Sequence, residues 1–183
     1  MLLVVGGHSR KVGKTAVAAG LIRSLLEAGW TAVKITQHAH GGAAVALERQ
    51  TEPDPGADSG RYLAAGARQA WWLRYAPGRL GEAVPELRRI LDTCENALVE
   101  SNSVLEFFQP DLCLMVLDYS VRDFKASGHG LLERADALVI VESGAPPWPG
   151  IPTARPQFRV KPPEYTSAEL VEFVRARLKA PTR

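Results

Sequence analysis

The residues of this chain with the clearest chemistry are Gly7, His8, Ser9, Arg10, Lys11, Val12, Gly13, Lys14, Thr15 and Ala16, in one continuous stretch. Glycines allow backbone angles that turn several N–H groups into one anion-binding concavity. Lys14 adds a mobile cation, and the Thr15 hydroxyl is a hard oxygen of the kind Mg²⁺ accepts. These residue types together suit the phosphates of GTP or ATP, with Mg²⁺ beside them. The spacing is unusual. The common phosphate loop has four residues between its first glycine and Gly-Lys-Thr. That first position is His8 here, and Gly7 lies one residue further upstream.

Carboxylates that complete such a site should stand at the carboxyl ends of parallel strands. Glu100 ends the Leu98-Val99 run and is a candidate Mg²⁺ ligand and catalytic residue; Asp118 ends the run from Leu112 to Leu117. Asp54 and Asp58 fall in a loop, from which a carboxylate could approach Mg²⁺ or a water only after nucleotide binds. They read equally well as turn aspartates. Glu142 ends a further run and could accept hydrogen bonds from guanine. His8, His38, His40 and His129 do not have the spacing of a transition-metal site, because no paired His or Cys motif follows them. His8 is expected to line the phosphate loop. Cys94 and Cys113 lie in apolar patterns and read as buried free thiols.

The elements that must position these residues follow from the apolar pattern. Leu2 to Val5 is a strand-length run, Thr15 to Ala28 carries a helical stripe, and Thr31 to Thr36 is β-branched. Strand, loop, helix, strand requires a crossover and predicts right-handed parallel pairing. His40 to Asp58 reads as a long mobile loop, followed by a short helix through Ala65 that Gly66 ends. Ala70 to Tyr75 is a strand; of Trp71 and Trp72, one is expected in the core and the other under a helix or a partner. Leu80 to Cys94 keeps a helical stripe, with Pro85 acceptable only in its first turn. Ala97 to Val99, Leu112 to Leu117 and Leu138 to Val141 are strands apolar on both faces, as a covered parallel sheet requires. Ser143 to Gln157 reads as an ordered loop, since it holds five prolines and two glycines. Phe158 to Val160 is a short strand. Thr166-Ser167-Ala168-Glu169 has capping-box form before a terminal helix. The fold class is therefore α/β, a three-layer α/β/α sandwich with a mostly parallel central sheet, in one domain spanning residues 1–183.

Composition narrows the function class. With 46% apolar and 23% charged residues the chain lies in the ordinary globular range. A net charge of +2 without a basic run argues against nucleic acid or an anionic membrane as partner. No apolar run reaches the roughly 18 residues that a membrane span needs. The apolar start, Met1 to Gly6, lacks the charges before it and the cleavage site after it that a signal peptide would have. A cytoplasmic protein is expected.

Two resemblances sharpen this reading. The five-residue spacing between Gly7 and Gly13 resembles dethiobiotin synthetase and its relatives, a class often dimeric. One branch of that class carries a lysine early in the loop, where Ser9 stands here. In those relatives Val-Glu-Gly supplies a Mg²⁺ carboxylate; here Val99-Glu100-Ser101 keeps the acid and not the glycine.

A larger part of the chain resembles the molybdopterin-guanine dinucleotide biosynthesis protein B (MobB) group. The stretches are the phosphate loop with its helix, Val33-Lys34-Ile35-Thr36-Gln37-His38-Ala39-His40, Pro55-Gly56-Ala57-Asp58-Ser59 followed by Ala65-Gly66-Ala67, and Leu98-Val99-Glu100. They occupy roughly the first hundred residues. The resemblance implies a GTP-binding, dimeric accessory protein with weak hydrolysis that acts with a protein partner in molybdenum cofactor maturation. Gly13, Lys14 and Thr15 would bind phosphates and Mg²⁺, and Asp58 and Glu100 would lie near the γ-phosphate. The other reading is an ATP-dependent ligase or kinase acting on a small molecule, or a binding module without turnover. A ligase would need a second cationic site, for which Arg10, Lys11 and Lys34 are available.

Overall fold

The apolar runs become strands whose alternate residues feed two cores, one on each face of a sheet. A computed structural model of the chain describes residues 1–38, 43–54, 56, 58–152 and 154–179. In chain order its elements are β1 (Leu2–Gly7), α1 (Lys14–Ser24), β2 (Thr31–Gln37), β3 (Val45–Gln50), α2 (Asp58–Ala64), β4 (Gln69–Tyr75), α3 (Val84–Asp92), β5 (Ala97–Glu100), β6 (Leu112–Asp118), α4 (Ala126–Arg134), β7 (Ala137–Val141), β8 (Gln157–Val160) and α5 (Ala168–Leu178). The strand order is β3-β4-β2-β5-β1-β6-β7-β8. Every pairing is parallel except β3 with β4.

Period-2 alternation assigns each strand residue to a layer. In β6, Leu112, Leu114 and Val116 join the core beneath α1 and α5, while Cys113, Met115 and Leu117 join the core beneath α3 and α4. β7 divides the same way, with Val139 on the first side and Leu138 and Ile140 on the second. This is the expected three-layer α/β/α arrangement. The terminal helix starts where its cap predicts, with Ser167 Oγ accepting from the Leu170 N–H.

Several local expectations need correction. Six residues of the loop read from His40 to Asp58 form β3, an edge strand antiparallel to β4. Val45 and Leu47 pack against the α3-side core while Glu48 and Arg49 stay exposed, the charged edge that discourages further pairing. α1 ends at Ser24, short of Ala28, because Leu25 leaves helical angles (φ −132°) to bury its side chain, and a 3₁₀ turn over Leu26–Ala28 follows. The Leu80–Cys94 stripe divides into a 3₁₀ turn over Leu80–Ala83 and α3, with Pro85 in the first turn of α3. Trp71 and Trp72 are both half-buried, so neither is full core; Arg49 lies over one ring and Arg74 over the other. α4 is an element that the pattern did not announce, since its sequence Ala-Ser-Gly-His-Gly-Leu-Leu-Glu-Arg has two glycines and a weak stripe. Among the described residues no helix is long and apolar enough to cross a membrane.

Candidate functional site

β1 ends at Gly7, and the chain turns through His8 to Gly13 before α1 begins. The turn needs left-handed backbone at Lys11 (φ 59°) and Gly13 (φ 94°). Gly13 is doubly required, because a Cβ there would stand 2.8 Å from the Tyr165 ring. Val12 is buried as the anchor of the loop, whereas the Arg10 and Lys11 side chains are exposed. Lys14 Nζ folds back to donate to the Ser9 carbonyl at 2.6 Å, so its charge lies over the loop. Burial lowers the Lys14 pKa, with Glu100 opposing that shift and Lys34 adding to it. No acidic residue occupies the first turn of α1, so its positive dipole end is uncompensated toward the loop.

The sheet register supplies the next layer of the site. Glu100 pairs in register with Val5 of β1 on one side and Lys34 of β2 on the other. Their side chains meet. Lys34 Nζ lies 3.1 and 3.2 Å from the two Glu100 carboxylate oxygens and 3.0 Å from Thr15 Oγ1. Thr15 Oγ1 also donates to Glu100 at 2.8 Å, and the buried Tyr62 hydroxyl of α2 donates to the same carboxylate. Glu100 and Lys34 are only 5% and 8% exposed, so their charges compensate one another in a low dielectric. Thr15 Oγ1 and the Glu100 carboxylate are the hard oxygens that Mg²⁺ takes, so these residues fit the ion; the Lys34 ammonium lies against both.

On the other side of β1 the loop is held by polar contacts from elsewhere in the chain. Asn102, two residues past Glu100, clamps Gly7 by accepting from its N–H at 3.0 Å and donating to its carbonyl at 2.8 Å. Ser9, standing where the signature lysine of one branch would be, donates to Asp123 at 2.6 Å. His8 is fully buried, with Nε2 3.0 Å from the Val121 carbonyl and its ring against Phe124 and Trp148. α4 approaches here through Gly128, where a Cβ would be 3.0 Å from the His8 Cα.

No protein-family model matches the sequence, and no curated protein matches it. Two solved structures share its architecture. A MobB protein homolog from Bacillus stearothermophilus superposes with a TM-score of 0.50 over 97% of both chains, at 15% identity. The chain shares the α/β fold of this MobB homolog. LpxK from Aquifex aeolicus, solved as the apo form in complex with ATP, gives a TM-score of 0.54 and 17% identity. That match covers 86% of this chain and 53% of the LpxK chain.

Within this MobB-like fold the remaining candidates scatter. Asp118 ends β6 and is engaged locally: it accepts from the Ser120 N–H at 2.9 Å and hydroxyl at 2.6 Å. Partial burial opposes its ionisation, but those bonds, with Ser143 and His8, hold its carboxyl below the usual range. Asp54 is exposed and accepts from the Gly56 N–H, a turn aspartate in this conformation. Asp58 opens α2, but its side chain lies outside what the structure describes, as do Pro55, Ala57 and His40. His38 sits beside Trp72 and His129 beside Phe124. No group of three His, Cys, Asp or Glu side chains that could hold a metal occurs among the described residues. Glu142 pairs with Lys161 at 3.3 Å, on the wall of a hollow of about 300 Å³ at the ends of β6 and β7. Cys113 is buried and Cys94 only partly so.

Sequence reasoning missed three residues around the loop: Tyr62, Asn102 and Asp123. Tyr62 follows Asp58 by one helical turn, and Asn102 follows the strand-end acid by two residues. These spacings identify the pair only once β5 is known to lie between β1 and β2.

Proposed function

We propose that the chain binds a nucleoside triphosphate, GTP or ATP, in a Mg²⁺-dependent manner on residues 7–16 and hydrolyses it slowly. The carrying observation is the buried cluster in which Thr15, Lys34 and Tyr62 converge on Glu100 beside the amine of Lys14. Lys14 would contact the β- and γ-phosphates, and the Thr15 hydroxyl and Glu100 would hold Mg²⁺, which when bound neutralises charge on the phosphate oxygens. Lys34 compensates the Glu100 charge at 3.1 Å; released from it, the ammonium would be available to a phosphate. Glu100 and Asp58 are the candidate catalytic residues. The hollow beside Glu142 would take the base, where the carboxylate would accept from guanine.

The family resemblance and the fold shared with a MobB homolog support a cytoplasmic, single-domain accessory protein in molybdenum cofactor biosynthesis, working as a homodimer with a protein partner. A second reading, an ATP-dependent ligase or kinase acting on a small molecule, is favoured by a large aromatic cleft beside the loop and by the ATP bound in the LpxK structure.

The test is calorimetric titration of ATP and GTP with and without Mg²⁺, followed by a turnover assay. Binding of one triphosphate, strengthened by Mg²⁺ and weakened in that dependence by Glu100→Gln, is the expected result. Absence of binding by either triphosphate removes the proposal, and an unchanged Mg²⁺ titration removes Glu100 from the ion.

A further inference from the structure

We propose that the cleft on the α4 side of the phosphate loop binds a planar aromatic or heteroaromatic small molecule bearing an anionic group, an aryl carboxylate or aryl phosphate, and that its occupancy is coupled to the loop. The cleft lies between the segment after β6, α4 and the proline-rich loop after β7, with a volume of about 840 Å³. Small-molecule sites occupy ~300–1,000 Å³.

Its walls set the ligand class. Tyr119, Phe124 and Trp148 present ring faces and edges, and Pro146, Pro147 and Pro149 add flat, stiff apolar surface. The rings are recessed: Tyr119 is buried, and Phe124 and Trp148 are half-buried. The large apolar side chains that stand exposed among the described residues, Leu26 and Phe107, lie elsewhere. A recessed wall suits a small molecule better than a flat protein surface. The wall is also preformed. The Trp148 indole N–H donates to the Tyr119 carbonyl at 3.1 Å, and its ring packs edge-on at 5.3 Å from Tyr119 and 4.9 Å from His8. Among the described residues Arg122 is on the lining, and no carboxylate is. That balance selects an anion, and a guanidinium can pair with a carboxylate or phosphate through two parallel hydrogen bonds.

The coupling follows from alternation along one short segment. Arg122 and Phe124 line the cleft, and the residues between and beside them bind the phosphate loop. The Val121 carbonyl meets His8 Nε2 at 3.0 Å, Asp123 accepts from Ser9 at 2.6 Å, and the Lys125 N–H donates to the His8 carbonyl at 2.9 Å. A ligand drawing on Arg122 and Phe124 therefore acts on the strand of chain that holds His8 and Ser9. Such coupling is reciprocal, so a triphosphate on the loop changes the affinity of the cleft by the same factor. Binding in the cleft stands independently of the proposed function; the coupling rests on it.

The experiment titrates 2-naphthoate and its neutral analogue 2-naphthamide into the full chain by calorimetry, first without nucleotide and then with saturating ATP or GTP. Expected are one saturable naphthoate site, at least tenfold weaker binding in Trp148→Ala, and loss of the preference for naphthoate over naphthamide in Arg122→Gln. Arg122 is exposed, so that variant should fold even if Trp148→Ala does not. Saturating triphosphate should shift naphthoate affinity several-fold. No saturable binding at millimolar probe, equal binding of the two probes, or a naphthoate preference unchanged in Arg122→Gln overturns the site. So does naphthoate affinity that vanishes as the chain self-associates, since a second copy would then fill the cleft. Naphthoate binding without binding of either triphosphate keeps the site and overturns both the coupling and the proposed function.

Discussion

The two flanks of the loop between β1 and α1, the proposed phosphate loop, are built from opposite chemistry. Toward β5 and β2 lies a buried ionic knot in which Lys34, Thr15 and Tyr62 share one carboxylate. Toward β6 and β7 lie aromatic rings and prolines, with His8 as the point of contact. The first flank can only work by rearranging charges, because its groups already satisfy one another. The second works by shape, because its rings are held in place before any ligand arrives. A single loop joined to both is suited to reporting one event to the other.

Four substitutions or measurements separate the flanks. Lys14→Ala should have the largest effect, weakening triphosphate binding about 100-fold, as the loss of a hydrogen bond to a charged group worth up to about 3 kcal/mol implies. The melting temperature should stay close to wild type. Equal nucleotide affinity in both proteins would overturn the site.

Lys34→Met strands Glu100 in the ionic knot. Breaking a buried ion pair costs ~3–5 kcal/mol, and the remaining Thr15 and Tyr62 bonds place this case at about 3. For a chain of this size that lowers the melting temperature by roughly 6–12 °C. Mg²⁺ should restore part of the loss in the variant and little in wild type. A variant as stable as wild type would show that the pair is not the anchor described here.

Gly128→Ala addresses the aromatic flank. The added methyl meets His8 backbone atoms at 3.0 and 3.1 Å, which cannot move aside as a side chain tip could. Overpacking of this kind costs ~1–3 kcal/mol, read in a denaturant melt. Triphosphate affinity should fall as well, since the push is on the loop itself; a purely local stability change would disconnect this flank from phosphate binding.

Cys113 provides the smallest and most local reading. Burial, with Asp136 adding to it, pushes its thiol up to about 12. At pH 8 roughly one molecule in ten thousand would carry the thiolate, against about one in four for an ordinary thiol. A disulfide reagent at pH 8 should therefore spare Cys113 until the chain unfolds, with reactivity rising as pH rises. Rapid labelling of folded protein would mean that the α3-side core opens.

The sequence alone determined the elements whose signals are local. Gly-Lys-Thr after a strand announced the tight turn from β1 into α1, because glycine conformations and a helix start are decided within a few residues. The doubly apolar runs of β1, β5, β6 and β7 announced a covered parallel sheet for the same reason, as did the Ser167 cap for α5. Where the signal was weak the reading failed. β3 is an edge strand whose apolar alternation is broken by Glu48 and Arg49. α4 carries Gly128 because of the His8 backbone it packs against, not because of its own helical preference. Only the tertiary structure decided which residues share the site. Lys34, Tyr62 and Glu100 are far apart along the chain and meet because β5 inserts between β1 and β2. The aromatic cleft exists because α4 and a proline-rich loop close over the end of β6. Strand order and loop closure are long-range choices, set by the packing of both faces of the sheet, and local sequence pattern does not carry them.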